Sequence, residues 1–458
     1  MSASHLITHW NPEDATFWRL RGRRVAERNL WLSTLALVLA FGVWMLWSVV
    51  VVHLPAAGFR FTTNQLFWLT ALPALSGATL RVVYAFAVPT FGGRRFTALS
   101  TASLLLPTLG LALAVQDAAT PYEVFVALAL LAGLGGGHFA SAMAHVSAFF
   151  PRRSLGWALG VSAGLGHLGV PLAQALVPVV VGTAMLGTLG GAPQAAADGH
   201  ALWLQNAGWL WVPLIVACAV GCWFGLDDLA PVRGRFGEQA VVIARRHNWL
   251  LSWLYLGSFG SFIGWAAALP LLLQSRLPGA DPLLWVWAGP LLGAVLRPAG
   301  GLLADRLGAA RVTLLAFVAL LAATLVALVA IGQPGQAVSL PLFAPAAMVL
   351  FAAAGIGSSS VFKMIPLAYA EDHQQRLLRG TESADQAAAR ALREAGATLG
   401  FASAVGAYGG FVIPKALGTA IATGSGPAPA LLLFAFFYLS CIAVTWWHYG
   451  RPSAATPC

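Results

Sequence analysis

Residues 30–54 read LWLSTLALVLAFGVWMLWSVVVVHL, an apolar run without an acid, a lysine or an arginine. A helix rises about 1.5 Å per residue, so a run of this length crosses the ~30 Å hydrocarbon core of a bilayer. Runs of the same kind recur along the chain. They place twelve spans near 30–54, 64–90, 96–115, 122–147, 155–185, 203–226, 247–273, 283–304, 310–332, 340–364, 394–422 and 428–449. They are too long for barrel strands, and open strands cannot satisfy their backbone in lipid, so the spans are helices.

Composition agrees. The 458 residues are 59% hydrophobic and only 9% charged, with a mean hydropathy of +0.76. Soluble domains carry about 25% charged residues. A chain this apolar cannot cover itself with a water-compatible surface, and lipid must cover it instead. The net charge of +10 does not imply nucleic acid, because the basic residues sit at span ends and not on one soluble face. Cys218 and Cys222 share a helix face and read as packing residues. No disulfide is expected among them, Cys441 and Cys458.

Arginine sets the orientation. One side of the twelve spans receives Arg19, Arg21, Arg23, Arg24, Arg28, Arg94, Arg95, Arg152, Arg153, Arg233, Arg235, Arg245, Arg246, Arg306, Arg311, Arg376, Arg379, Arg390, Arg393 and Arg451; the other receives Arg60 and Arg276. The positive side is cytoplasmic, so both termini are expected inside. The polar segment 1–29 lacks the pattern of a signal peptide. Asn11-Pro12-Glu13-Asp14 reads as a helix start with Asn11 as cap, and the mixture of Phe17, Trp18 and Leu20 with arginines reads as a surface-lying amphipathic stretch. A linker, 227–246, divides the spans into halves 30–226 and 247–449, with a tail at 450–458. The connection 365–393 reads as a solvated helix leading into the eleventh span.

The halves repeat one another. Gly77-Ala78-Thr79-Leu80-Arg81 is echoed by Gly293-Ala294-Val295-Leu296-Arg297, Gly92 by Gly308, and Arg95 by Arg311. Leu159-Gly160, Gly166 and Gly169 recur as Leu399-Gly400, Gly406 and Gly409. Parallel six-helix repeats of this kind underlie carriers that hold substrate near mid-membrane. Arg81 and Arg297 are the two arginines deep inside spans, at matching depth. Burying such a cation costs at least ~2.5 kcal/mol on insertion scales, and no Asp or Glu lies deep within any span. The expected partner is therefore an anionic substrate, and the planar guanidinium fork suits a planar oxyanion. Lys363 reads as a snorkelling residue and Lys415, after Pro414, as a partner for carbonyls freed at a kink. The glycine tracts of spans five and eleven read either as helix packing or as a pocket-lining backbone. No carboxylate pair, nucleophile–base pair or metal-spaced His/Cys cluster is present, so neither an enzyme nor a cofactor is expected. His138 and His145, two turns apart, lack the companions of a metal site.

The segments Gly77 to Arg95, Gly135 to Pro151, Leu159 to Gln174, Gly289 to Arg311 and Leu399 to Gly418 resemble the nitrate/nitrite porter family of the major facilitator superfamily. The likeness runs from Asn11-Pro12-Glu13-Asp14 to Tyr449-Gly450-Arg451, and Gly301-Leu302-Leu303-Ala304-Asp305-Arg306 resembles the superfamily's loop motif. The resemblance implies an all-α major-facilitator bundle of twelve transmembrane helices in two six-helix repeats, working in the bacterial inner membrane as a monomer among lipid. It implies nitrate and nitrite as substrates, with Arg81 and Arg297 clamping the anion, Phe139 and Phe259 sandwiching it, and Tyr255, Met45, Gly164, Gly400 and Ser403 completing the pocket. The family's usual asparagines in span five are replaced by Ser162 and His167, and His138 stands where Asn or a small residue is usual. A histidine can donate to nitrate as Asn does, and it can also carry a proton. His167 and His138 are thus candidate proton sites. Anion exchange is the expected mode, with proton-coupled nitrate symport or an anion channel as alternatives.

Overall fold

Inside a bilayer a peptide group has no water to bond, and a helix satisfies nearly all of its own. The computed structural model describes residues 5–195, 199–229, 241–277, 282–331 and 338–451. Among them are twelve helices long and apolar enough to span: α1 Ala15–His53, α2 Thr63–Ala85, α3 Gly93–Ala114, α4 Tyr122–Phe149, α5 Arg152–Val181, α6 Asn206–Gly225, α7 Arg246–Arg276, α8 Pro282–Leu307, α9 Ala309–Ile331, α10 Leu340–Leu378, α11 Ala384–Ala422 and α12 Ala428–Gly450. They match the twelve expected runs one for one. The contacts divide the chain into two compact units. The first comprises Met1–Gly234, Leu269–Gln274 and Asp281–Trp287; the second comprises Arg235–Ala268, Ser275–Ala280 and Ala288–Cys458. Much of the linker, with Arg233 and Arg235, lies outside the described residues, as do Cys458 and most of the tail. Cys218, Cys222 and Cys441 are free thiols.

In the first unit the N-terminal segment departs from expectation. Asn11 is not the cap: its carbonyl closes a turn onto the Asp14 amide, and the Asp14 carboxylate accepts from the Thr16 and Phe17 amides. Asp caps as well as Asn, and the turn delays the helix by three residues. Phe17, Trp18 and the arginines that follow do not form a separate surface helix. They are continuous with α1. Trp10 meets Phe149 edge-on, Trp18 meets Phe150, and Glu13 accepts from the Arg152 amide at the start of α5. A short strand β1, Leu6–Ile7, pairs in parallel with Asp228–Leu229 beyond α6. Buried Asp227 there accepts from Arg28 and Asn29, and Asn29 faces His145 of α4 at 3.1 Å.

In the second unit the connection 365–393 holds the expected helix into the eleventh span, its first turns from Ala384 to Arg393 mostly exposed, but not all of its polar residues are solvated. Helix α10 carries on to Leu378, Gly380 turns the chain at φ 71°, and Ser383 with Gln386 forms a capping box that starts α11. Glu382, Glu394 and His373 are buried. The two ring nitrogens of His373 face Glu382 at 2.7 Å and Glu394 at 3.4 Å, while Arg390 bonds Glu382 and Arg245 bonds Glu394. Glu382, Arg390 and Glu394 thus join His373 and Arg245 in one ionic cluster tying together the starts of α7 and α11 and the end of α10, while Asp385 and Arg393 are exposed. Lys363 does not simply snorkel; it forms an ion pair with Asp305 of the Gly301–Arg306 motif.

The repeat has a steric basis. The helix of α2 runs on past Ala85 to Phe91, where Gly92 ends it at φ 86°, and its counterpart Gly308 follows α8 at φ 91°. Both sit in the region that glycine enters without strain. Helices α5 and α11 are each interrupted by a tight turn, at His167–Leu168 and at Tyr408. The glycine after each turn touches bare backbone. A Cβ on Gly169 would lie 2.0 Å from the Val38 carbonyl oxygen of α1, and one on Gly409 would lie 2.2 Å from Gly260 Cα of α7. Gly77 meets Gly136 between α2 and α4 in the same way that Gly355 meets Gly293 between α10 and α8. By contrast, a Cβ at Gly156, Gly160, Gly396 or Gly400 would meet nothing within 4 Å. Each tract thus serves two purposes: close packing at its outer end and an open face nearer its start.

Two outcomes follow. Gly169→Ala and Gly409→Ala should each lose folded protein in fluorescence-detected size exclusion, because overpacking against backbone costs about 1–3 kcal/mol or more, whereas Gly156→Ala and Gly396→Ala should elute as the parent does. The Glu382 carboxyl lies below the usual carboxylate range, chiefly through its bond to His373. A depressed acid contributes stability above its unfolded pKa of about 4.3, and that stability is lost as pH falls through the folded value. Glu382→Gln should therefore lower the melting temperature at pH 6–7, and in detergent thermal melts the gap from the parent should shrink as pH falls below the ordinary carboxylate pKa of about 4.3.

Candidate functional site

Arg81 of α2 is 1% exposed. Its Nε donates to the Gly136 carbonyl at 2.9 Å. The close contact of Gly77 with Gly136 is what brings this carbonyl within reach, one helical turn along α2 from Gly77. The guanidinium lies over Phe139 at 4.8 Å, Trp44 at 5.3 Å and Phe41 at 6.0 Å from the ring centroids. A desolvated cation over an aromatic face gains about 0.5–2 kcal/mol, and a hydrogen bond to a charged group about 1.5–3. Together these are comparable to the insertion cost of an arginine at the centre of a helix. The ring of His167 lies 4.6 Å from Phe41 and 5.9 Å from Phe139, and its Nδ1 faces the Ala163 carbonyl. His167 therefore shares two rings with Arg81, and it sits in the turn that interrupts α5.

Arg297 of α8 is likewise buried, at 6% exposure. It donates to the Tyr255 hydroxyl oxygen at 2.8 Å and lies over Phe259 at 5.5 Å and Phe362 at 5.7 Å. Tyr255 and Phe259 stack at 5.2 Å and 17°, and Phe362 meets Tyr255 edge-on at 4.5 Å. A wide helical turn in α7, Leu256–Gly260, starts just after Tyr255 and contains Phe259, a local feature frequent at functional sites. Gly406 of α11 lies against both rings, so a Cβ there would come within 2.6 Å of Tyr255. Ser403 donates to the Gly400 carbonyl at 2.8 Å, on the open part of α11.

Each unit therefore gathers an arginine and aromatic rings from corresponding helices: α1, α2 and α4 in the first, α7, α8 and α10 in the second. The first collects Arg81, Phe139 and His167. The second collects Arg297, Phe259 and Tyr255, with Gly400 and Ser403 paired on α11. Met45 and Gly164 are buried on α1 and α5. His138 lies elsewhere: its Nε2 faces Ser100 and Thr101 of α3 at 3.2 and 3.3 Å, and its Nδ1 faces the Leu134 carbonyl at 3.5 Å. Three rings at the arginines were missed from the sequence: Phe41, Trp44 and Phe362. The spacing of Phe41 and Trp44 puts them on one helix face, but in a chain with 25 phenylalanines and 18 tryptophans such spacing is not selective.

The fold and the two buried cationic centres define a multi-pass membrane protein. A sequence model of the Major Facilitator Superfamily matches residues 32–378. The nitrate/nitrite transporter NarU of Salmonella typhimurium is 45% identical over 98% of this chain and 96% of its own length, and NarU of Escherichia coli is 44% identical over 98% and 97%. A probable nitrate/nitrite antiporter, NarK2 of Thermus thermophilus, is 38% identical over 99% and 98%. A crystal structure of the nucleoside transporter NupG shares the fold, with a TM-score of 0.60 at 11% identity over 91% of this chain and 98% of that one. The chain belongs to the nitrate/nitrite porter family of the major facilitator superfamily, a family of transporters and not of enzymes.

Proposed function

We propose that this protein carries nitrate and nitrite across the bacterial inner membrane by alternating access, exchanging one anion for the other. The halves 30–226 and 247–449 move about the anion, both termini face the cytoplasm, and the working unit is a monomer in lipid. The observation that carries the reading is the pair of repeat-related arginines, each buried among aromatic rings within a span. Arg81 and Arg297 clamp the anion, and Phe139 and Phe259 select its flat shape. Tyr255, His167, Met45, Gly164, Gly400 and Ser403 complete the pocket.

The coupling follows from charge. Two fixed cations in a low-dielectric bundle repel, and that repulsion is relieved when an anion is bound. A carrier that is easier to reorient loaded than empty exchanges anion for anion. His167 is the group that would support proton symport instead, through its place beside the rings of Arg81.

Arg81→Lys or Arg297→Lys keeps the charge and loses the bidentate fork. Nitrate counterflow in proteoliposomes should fall by at least ~10-fold for each, since a charged hydrogen bond is worth about 1.5–3 kcal/mol, with unchanged elution on size exclusion. Normal counterflow in both would refute the clamp. In a second assay, liposomes loaded with a pH-sensitive dye and no internal nitrite should show little nitrate entry and no acidification. Nitrate entry with acidification that disappears in His167→Asn would replace exchange with proton symport.

A further inference from the structure

The two arginines are held by different means, and the difference centres on Trp44. Its ring is 1% exposed, and Nε1 donates to the Pro73 carbonyl at 2.8 Å. That carbonyl lies in α2, two turns before Arg81, so the bond ties α1 to the helix that carries the arginine. The same ring fills the space above the glycines. A Cβ on Gly77 would come within 2.8 Å of Trp44 Nε1, and one on Gly136 within 2.8 Å of its Cε2. Gly135 approaches the same residue, with its Cβ position 3.3 Å from Trp44 Cβ. The glycines thus leave a slot between α2 and α4 that the indole occupies. One wall of the slot is Gly136, whose carbonyl accepts from Arg81 Nε. The indole face also lies 5.3 Å from the Arg81 guanidinium carbon.

In the second unit, the residue facing the corresponding glycine is Phe262, whose ring would lie 2.9 Å from a Cβ on Gly293. Phenylalanine has no N–H to donate, so no bond like that to Pro73 can form. Arg297 is held instead through the Tyr255 hydroxyl and the faces of Phe259 and Phe362.

We infer that Trp44 is a positioning residue for Arg81, fixing the height and angle of its guanidinium by bracing the Gly136 carbonyl from one side and the cation from another. This rests on the reading of Arg81 as an anion ligand. Trp44 acts through the arginine and not on the substrate.

The test is nitrate counterflow in proteoliposomes with separate determination of KM and the maximal rate. Loss of the indole face and its bond in Trp44→Leu should raise KM about tenfold with the maximal rate within about twofold, as expected for removal of a desolvated cation–π contact of this kind. Trp44→Phe, which restores a ring without the N–H, should recover most of that loss. Phe262→Leu, the matching change in the second unit, should leave KM within about twofold. A parental KM in Trp44→Leu, or an equal rise in Phe262→Leu, would overturn the proposal. If Trp44→Leu yields no folded protein, Trp44→Phe against Phe262→Leu decides: a KM rise of about threefold confined to Trp44→Phe supports the role, and equal values refute it. A normal KM in Arg81→Lys would instead remove the clamp on which the inference rests.

Discussion

A guanidinium cation held inside a lipid-embedded helix bundle is the constraint on which the other features turn. It cannot lose its proton, and water is scarce around it, so its surroundings must supply acceptors and electron-rich faces. In the first unit these are a main-chain carbonyl and the rings of Phe41, Trp44 and Phe139; in the second, a phenol oxygen with Phe259 and Phe362. Such partners reduce the cost of burial without neutralising the charge.

Close helix contact makes that setting possible. A carbonyl in the middle of a helix is ordinarily shielded by side chains, and Gly136 exposes its carbonyl because neither it nor Gly77 carries one. The same economy governs Gly169 on α1 and Gly409 on α7, where the nearest atom across the contact is backbone. Where the glycines of α5 and α11 leave this packed zone, at Gly160 and Gly400, they face open space. A single residue type thus fixes the bundle at one level and leaves a smooth wall at another. The helix-packing reading of the glycine tracts thus holds at one height, and at another the glycines are uncovered.

The departures from sequence reading share a cause: polar groups find partners that a linear string does not display, some a few residues off and some far away in the chain. Asp14 outcompetes Asn11 as a cap once the Asn11 carbonyl closes a turn. The acids and bases after α10 look solvated as a string, yet His373 draws Glu382 and Glu394 inside, with Arg390 and Arg245 completing the cluster. Lys363 finds Asp305 more than fifty residues earlier. His138 looks like a neighbour of Phe139 in sequence, but successive helical residues point about 100° apart, and it turns to Ser100 and Thr101.

The sequence by itself determined the twelve helices, their repeat, and the two buried arginines, because each depends on a local quantity. Run length against bilayer thickness gives the spans, and a fixed interval gives the repeat. A charge within an apolar run gives the arginines. The exceptional backbone of Gly92 and Gly308 was legible as well, through a repeat that preserved glycine where a side chain would be strained. Only the tertiary structure decided which of many aromatics meet each guanidinium and which glycines are packed. It alone shows that Arg81 leans on a carbonyl and Arg297 on a phenol. Those choices depend on how helices distant in sequence approach and rotate against one another, which no spacing along a single helix records.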